Sequence, residues 1–288
     1  MERLRPFLTG AAVTAALVFL SGCLYVHDDQ VQPLKFGSKV GVVEINGPVT
    51  ESKDIVRHIA QFRDDGSVKA VVLRIDSPGG AVGSVQEIYG EVMRLREGKK
   101  VVVSMGNAAA SGGYYIAAAA DRIFANPGTV TGSIGVVAQI ADLGELMDLL
   151  KIRIATVKSG KFKDSGTFTR PLAPEERELL QGVVAEVHDQ FVRDIARGRK
   201  KEVSTILPAA DGRIITGAKA KEMGLVDDLG NFQDAVSWAG TAAGLGPKPR
   251  VVYARKKRPA FLREILDSMF GEIDEMGSEA SGVKLKFQ

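Results

Sequence analysis

Two short runs of this chain place a hydroxyl beside paired glycines. One is Ala110-Ser111-Gly112-Gly113-Tyr114-Tyr115, and the other is Asp76-Ser77-Pro78-Gly79-Gly80. Each follows a buried apolar strand. Glycines, lacking Cβ, let backbone N–H groups approach a substrate closely, and such turns form anion-binding concavities. A serine at the start of a helix is exposed beside orphan N–H donors. Ser111 is therefore a candidate nucleophile for acyl transfer, with Gly80 and Gly112 as donors to the developing oxyanion. Losing one such donor typically lowers the rate by about 10²–10³. Each run alone has an ordinary reading, since serine is a frequent N-cap and Gly-Gly a frequent turn. Their joint occurrence, one helix and one strand apart, is the specific signal.

A serine hydroxyl needs a base. The chain has three histidines, His27, His58 and His188. His27 opens a polar segment, and the other two fall in amphipathic helices, where a structural or solvated role is the better expectation. None pairs with an aspartate near a suitable serine, and they do not cluster as zinc ligands do. Neither a Ser-His-Asp triad nor a metal site is expected. The alternative is a lysine kept neutral by burial, because desolvation lowers a lysine pKa by several units. Lys158, Lys161 and Lys163 gather in Val157-Lys158-Ser159-Gly160-Lys161-Phe162-Lys163-Asp164. Residue type alone does not choose among them. Thr131-Gly132-Ser133-Ile134-Gly135 offers a further loop hydroxyl, Ser133, able to hold a lysine amine.

These loops need a scaffold. Lys39 to Ile45, Lys69 to Ile75 and Lys100 to Ser104 are β-branched runs closed by turn residues, which predicts strands. A helix is expected from an N-cap at Thr50 to about Asp64, a second over Val82–Leu95 and a small-residue helix over Ala108–Ala120. Arg122–Ala125 and Arg153–Val157 read as strands, and Leu143–Leu150 as a helix. From Pro174 to about Lys200, Leu179, Leu180, Val183, Val184, Val187, Phe191 and Ile195 recur at helical spacing. Small helices are expected between Thr216 and Trp238. Alternating strands and helices with short connections imply an α/β fold with a largely parallel sheet.

The ends differ from the body, residues 39–247, which is read as the catalytic domain. Charged residues Glu2, Arg3 and Arg5 precede an apolar run, Phe7 to Leu20, and then Leu20-Ser21-Gly22-Cys23. That order is a signal peptide with a lipoprotein-type box, Cys23 being the site of lipidation. The alternative is a membrane anchor, since Phe7 to Val26 is 20 residues, enough to span a bilayer. Either way residues 1–26 tether the body to a membrane, with 27–38 as linker. Residues 248–288 form a tail with a basic stretch, Arg255 to Arg258, and an apolar stripe of Leu262, Ile265, Leu266, Met269 and Ile273. It is read as a helix packing on the body or a neighbour, or lying on a membrane surface. The net charge of +3 is mild, and no basic-aromatic interleaving suggests nucleic acid.

Asp-Ser-Pro-Gly-Gly, Ala-Ser-Gly-Gly-Tyr-Tyr, Thr-Gly-Ser-Ile-Gly-Val and Ser-Gly-Lys-Phe-Lys-Asp occur in that order. Over about residues 38–245 the chain resembles the signal peptide peptidase A family, serine peptidases of the Clp-protease/crotonase fold built from repeated β-β-α units. The resemblance implies Ser111 as nucleophile and Lys163 as base. It assigns Ser133 to positioning the lysine, and Gly80 and Gly112 to the oxyanion hole, with Gly79 as fallback for Gly80. It further implies a short, single-domain type that forms a homo-oligomer with the dyad shared between subunits. No cofactor is implied. The expected substrates are signal peptides left in the membrane after export, in a bacterial cell envelope. Two other readings are a crotonase-like acyl-CoA enzyme and a non-catalytic envelope scaffold or peptide-binding module.

Overall fold

The computed structural model describes residues 37–254. Cys23, His27 and the apolar stripe from Leu262 to Ile273 lie outside the described residues. Among the described residues, no helix is long and apolar enough to cross a membrane.

Three strands form the centre: β1 (Lys39–Asn46), β2 (Val68–Ser77) and β3 (Lys100–Ala110). They pair in parallel. Their Val- and Ile-rich runs are buried on both faces, as parallel strands covered by helices require. The remaining strands are β4 (Arg122–Ala125), β5 (Val130–Gly132), β6 (Ile214–Thr216), β7 (Asp228–Leu229) and β8 (Val251–Tyr253). Among the described residues the sheet has eight strands in the order β6-β5-β3-β2-β1-β8, with β4 beside β3 and β7 beside β4. Only the β5–β6 pair is antiparallel. The fold is α/β with a mostly parallel sheet. β8 comes from the first residues of the predicted tail and pairs with β1.

The helices are α1 (Lys53–Asp64), α2 (Val82–Arg96), α3 (Gly112–Ala118), α4 (Gly144–Leu149), α5 (Pro174–Arg199), α6 (Val203–Ile206), α7 (Gly217–Glu222) and α8 (Phe232–Ala242). Alternate strand residues face opposite layers. Val43, Ile45, Val71, Leu73, Ile75 and Val103 pack with side chains of α1, α2, α3 and the C-terminal half of α5. Val40, Val42, Ala70, Val72 and Val102 pack with α8 on the other face.

Four local expectations change. The N-cap of α1 is Ser52, not Thr50. The stretch expected as helix from Ala108 continues β3 to Ala110, because Ala108, Ala109 and Ala110 pair with β5. Arg153–Val157 is not a strand. All five residues are exposed, with no neighbouring strand to bond their backbone. In α5 the predicted apolar stripe is buried only at its C-terminal end: Phe191 and Ile195 are core, while Leu179 and Val183 face solvent.

Candidate active site

The C-terminal ends of parallel strands, where ligands bind in open α/β sheets, bring the predicted loops together here. β3 ends at Ala110, which pairs with Gly132 at the end of β5. Ser111 and Ser133 are thus the next residues of two adjacent strands. Both have positive φ, 52° for Ser111 and 50° for Ser133. Such conformations are costly for non-glycine residues, about 1–3 kcal/mol each, and persist where the surroundings impose them. The Ser111 N–H donates to the Gly132 carbonyl (2.9 Å), its carbonyl accepts from Tyr115 N–H (2.9 Å), and Ser133 N–H donates to the Arg213 carbonyl (2.8 Å). With ψ at −120°, Ser111 sits on a sharp strand-to-helix turn like the nucleophile elbow of hydrolases. It occupies the N-cap position of α3, yet its side chain makes no capping bond. The hydroxyl is not spent on the helix.

The Asp76–Gly80 turn lies directly against this elbow. A Cβ built on Gly79 would stand 2.7 Å from the Gly112 nitrogen, and one on Gly112 would stand 3.2 Å from the Gly80 nitrogen. The two candidate donors are therefore close together. Gly112 is the first residue of α3, so its N–H has no acceptor within the helix. Gly80 forms a parallel bridge with Val49, in which Val49 N–H bonds the Gly79 carbonyl and Ala81 N–H bonds the Val49 carbonyl. The Gly80 N–H takes no part in it. The Gly79 N–H donates to Ser77 Oγ at 3.1 Å, so the geometry favours Gly80 over Gly79. Ser77 is fully buried, and its role was not foreseen from sequence. Its signal was a hydroxyl two residues before a glycine in a Pro-containing turn.

A cleft of about 120 Å³ opens at Ser111. Gly80, Ser111 and Gly112 form its polar end, and Val82, Val85, Tyr115, Val187 and Phe191 give apolar walls. Tyr115 stacks on Phe191 at 4.5 Å and meets Tyr89 edge-on at 5.2 Å. The hydroxyls of both tyrosines donate to Asp194, Tyr115 to the carboxylate and Tyr89 to the carbonyl. Burial, and after it the Asp194 carboxylate, push the Tyr115 phenol well up from its ordinary value, so it stays a neutral donor.

The lysine segment lies elsewhere. Lys158 is ion-paired with Asp164, and Lys161 with Glu175. Lys163 is exposed and enters no ion pair among the described residues. None of the three lines the Ser111 cleft. Arg170 braces this segment, bonding Asp164 (3.2 Å) and both oxygens of buried Glu176 (2.7 and 2.8 Å). Glu176 also accepts the Ala173 N–H at 3.0 Å, capping α5. Arg170, and then this N–H, hold the Glu176 carboxyl down at about 2. His188 bonds the Ala210 carbonyl at 2.8 Å, and neither it nor His58, buried on α1, lines the cleft. Among the described residues no acid, histidine or cysteine cluster is suited to a metal.

The sequence model of "Peptidase family S49" matches residues 93–246, and that of "Clp protease" matches residues 38–131. This chain belongs to peptidase family S49. As an S49 member it is a serine peptidase, and the acyl-CoA and scaffold readings fall away. A putative protease of Synechocystis sp. is 42% identical over 73% of this chain and 76% of its own length. Protease 4 of Salmonella typhi is 35% identical over 86% of this chain and 41% of its own. The putative signal peptide peptidase SppA of Enterococcus faecium is 36% identical over 64% of this chain and 54% of its own. The S49 chain thus spans about half the length of these last two relatives. Its Clp-protease match agrees with the mostly parallel α/β sheet described above.

Proposed function

We propose that this S49 chain is a membrane-tethered endopeptidase in which Ser111 attacks the scissile carbonyl and Lys163 of an adjacent subunit is the base. The observation that carries the reading is the Ser111 elbow. A strained serine with an unspent hydroxyl stands beside the Gly80 and Gly112 N–H groups, at the mouth of an apolar cleft. Neutral lysine takes the Oγ proton as the Oγ–C bond forms, and the two N–H groups receive the oxyanion. Lysine then returns the proton to the leaving amine as the peptide C–N bond breaks. Water, deprotonated by the same amine, releases the acyl group from Ser111. Ser133, next in register to Ser111, would hold the lysine ammonium.

Sharing between subunits is favoured by two features. The Lys163 segment is braced at the first turn of α5 through Glu176, whereas Val187 and Phe191, three to four turns on, wall the cleft. Around the segment, Leu149, Val157, Phe162 and Val183 are exposed, an apolar surface suited to a neighbouring subunit. A burial partner would also supply the desolvation that a neutral lysine needs. The apolar cleft suits segments of remnant signal peptides, and the N-terminal run of the sequence would hold the enzyme in the bacterial envelope where these remain.

The test is complementation. Ser111→Ala and Lys163→Ala subunits should each lose at least about 10²-fold in peptide hydrolysis, and mixed oligomers should regain activity. Mixed assemblies of confirmed composition that stay inactive would refute the shared dyad. Full activity of Lys163→Ala alone would refute the base.

A further inference from the structure

A second cavity, of about 560 Å³, lies at the N-terminal ends of β3, β4 and β7, the end of the sheet opposite Ser111. Its wall carries six cations, Arg96, Lys100, Arg199, Lys200, Lys201 and Lys221, against two carboxylates, Asp121 and Asp227. Both carboxylates are committed. Asp121 accepts from Arg96 Nε (3.0 Å) and the Val101 N–H (2.9 Å). Asp227 accepts from Arg199 Nη2 (2.6 Å) and the Ile123 N–H (2.8 Å). Arg96 is committed too, since it also bonds the Ala119 and Gly198 carbonyls at the ends of α3 and α5, where a cation complements the helix dipole.

Positive charge is left over. Lys100, Lys200 and Lys201 enter no ion pair among the described residues. Lys221 reaches only Asp228, at 3.8 Å, which Arg122 already holds at 2.6 Å. The Arg199 side chain is 6% exposed, and its Nε is buried without an acceptor among the described residues. Such a donor costs about 1–3 kcal/mol if nothing meets it. Lys200, just after α5, has φ of 53°, at a position where glycine is the usual residue.

We propose that this pocket binds a phosphate group, with Lys100, Lys200 and Lys201 as its principal donors. A carboxylate would be satisfied by one arginine fork. Several unpaired cations around one cavity suit a tetrahedral group of higher charge, with oxygens facing several directions. Soluble phosphate compounds and anionic phospholipid headgroups share this chemistry.

The chain's only tryptophan, Trp238, lines the pocket, and its fluorescence reads occupancy. The full chain in neutral detergent is titrated with inorganic phosphate and with pyrophosphate at constant ionic strength. It is then titrated with phosphatidylglycerol and phosphatidylcholine vesicles. Arg199→Lys could fail to fold, so the working variant is Lys200→Gln/Lys201→Gln, on lysines outside the peptidase site. The expected result is a saturable Trp238 signal whose midpoint rises about tenfold or more in the variant, with peptide hydrolysis and melting unchanged. A lysine-dependent signal with phosphatidylglycerol vesicles alone assigns the phosphate to a lipid headgroup. A signal that chloride reproduces, or identical titrations of both proteins with every probe, overturns the site.

Discussion

Replacing Gly80 by alanine tests the oxyanion hole without touching Ser111. The new Cβ would stand 2.1 Å from the Val49 carbonyl oxygen and 2.7 Å from the Val49 nitrogen. Real Cβ contacts stay beyond about 3.0 Å, so one backbone must retreat from the other by about 0.9 Å. The neighbour is a strand end, not a flexible side chain, and the bridge bonds Val49 N–H to Gly79 and Ala81 N–H to Val49 lie in the way. An oxyanion donor works only within about 2.7–3.1 Å of the oxygen, so a displacement of this size takes the Gly80 N–H out of range. The expected loss is about 10²–10³ in kcat, equivalent to about 2.7–4 kcal/mol of transition-state stabilisation. KM should move little, because the apolar walls from Val82 to Phe191 remain. Two weakened bridge bonds should lower stability by about 1 kcal/mol each. Steady-state hydrolysis of an apolar peptide gives kcat and KM, thermal melting gives the stability term, and labelling by a serine-directed fluorophosphonate reports the elbow. A folded Gly80→Ala enzyme with kcat within about threefold of the parent would refute Gly80 as a donor, given the size of that term.

Two further changes probe the supports of the site. Ser77→Ala leaves the Gly79 N–H buried without its 3.1 Å acceptor; stability should fall by about 1–3 kcal/mol, measured by denaturant unfolding. The Glu176 carboxyl, at about 2 in the folded chain against an ordinary 4.5, is depressed, so its contribution is present above about 4.5 and is lost as pH falls through about 2. Melting temperature should therefore drop across that window in the parent, and the drop should be smaller in Glu176→Gln; parallel curves for the two proteins would contradict the assignment.

The central strands were legible because β1, β2 and the first half of β3 are continuous β-branched runs, which both-face burial demands. The second half of β3 was not. Ala108 to Ala110 carry small side chains that suit a helix, and distant groups keep this half of the strand extended. Thr129 Oγ1 bonds the Gly106 carbonyl, Thr131 Oγ1 the Ala109 carbonyl, and Asp76 the Ala108 N–H. Arg153–Val157 failed for the opposite reason: its β-branched residues suit a strand, but no partner strand adjoins them. Ser111 and its glycines were readable because the chemistry sits in contiguous loops. Lys163 was singled out from Lys158 and Lys161 only by family resemblance. Asp194, which anchors Tyr115 from 79 residues away, left no mark in the local pattern. Nor did the cationic pocket, whose residues come from separate segments.

β3 changes partners along its length, pairing with β4 at Val102–Ser104 and with β5 at Ala108–Ala110. Between these stretches Gly106 is bonded by a side chain, Thr129 Oγ1. One strand therefore serves two assemblies: a core ladder that sets the stability of the body, and a short outer ladder that aims Ser111. Changes in β5, or in the exposed chain that follows it, can re-aim the elbow while the core ladder is left alone. Rigidity and adjustability are lodged in different residues of the same strand, which gives this fold room to vary its cleft without rebuilding its interior.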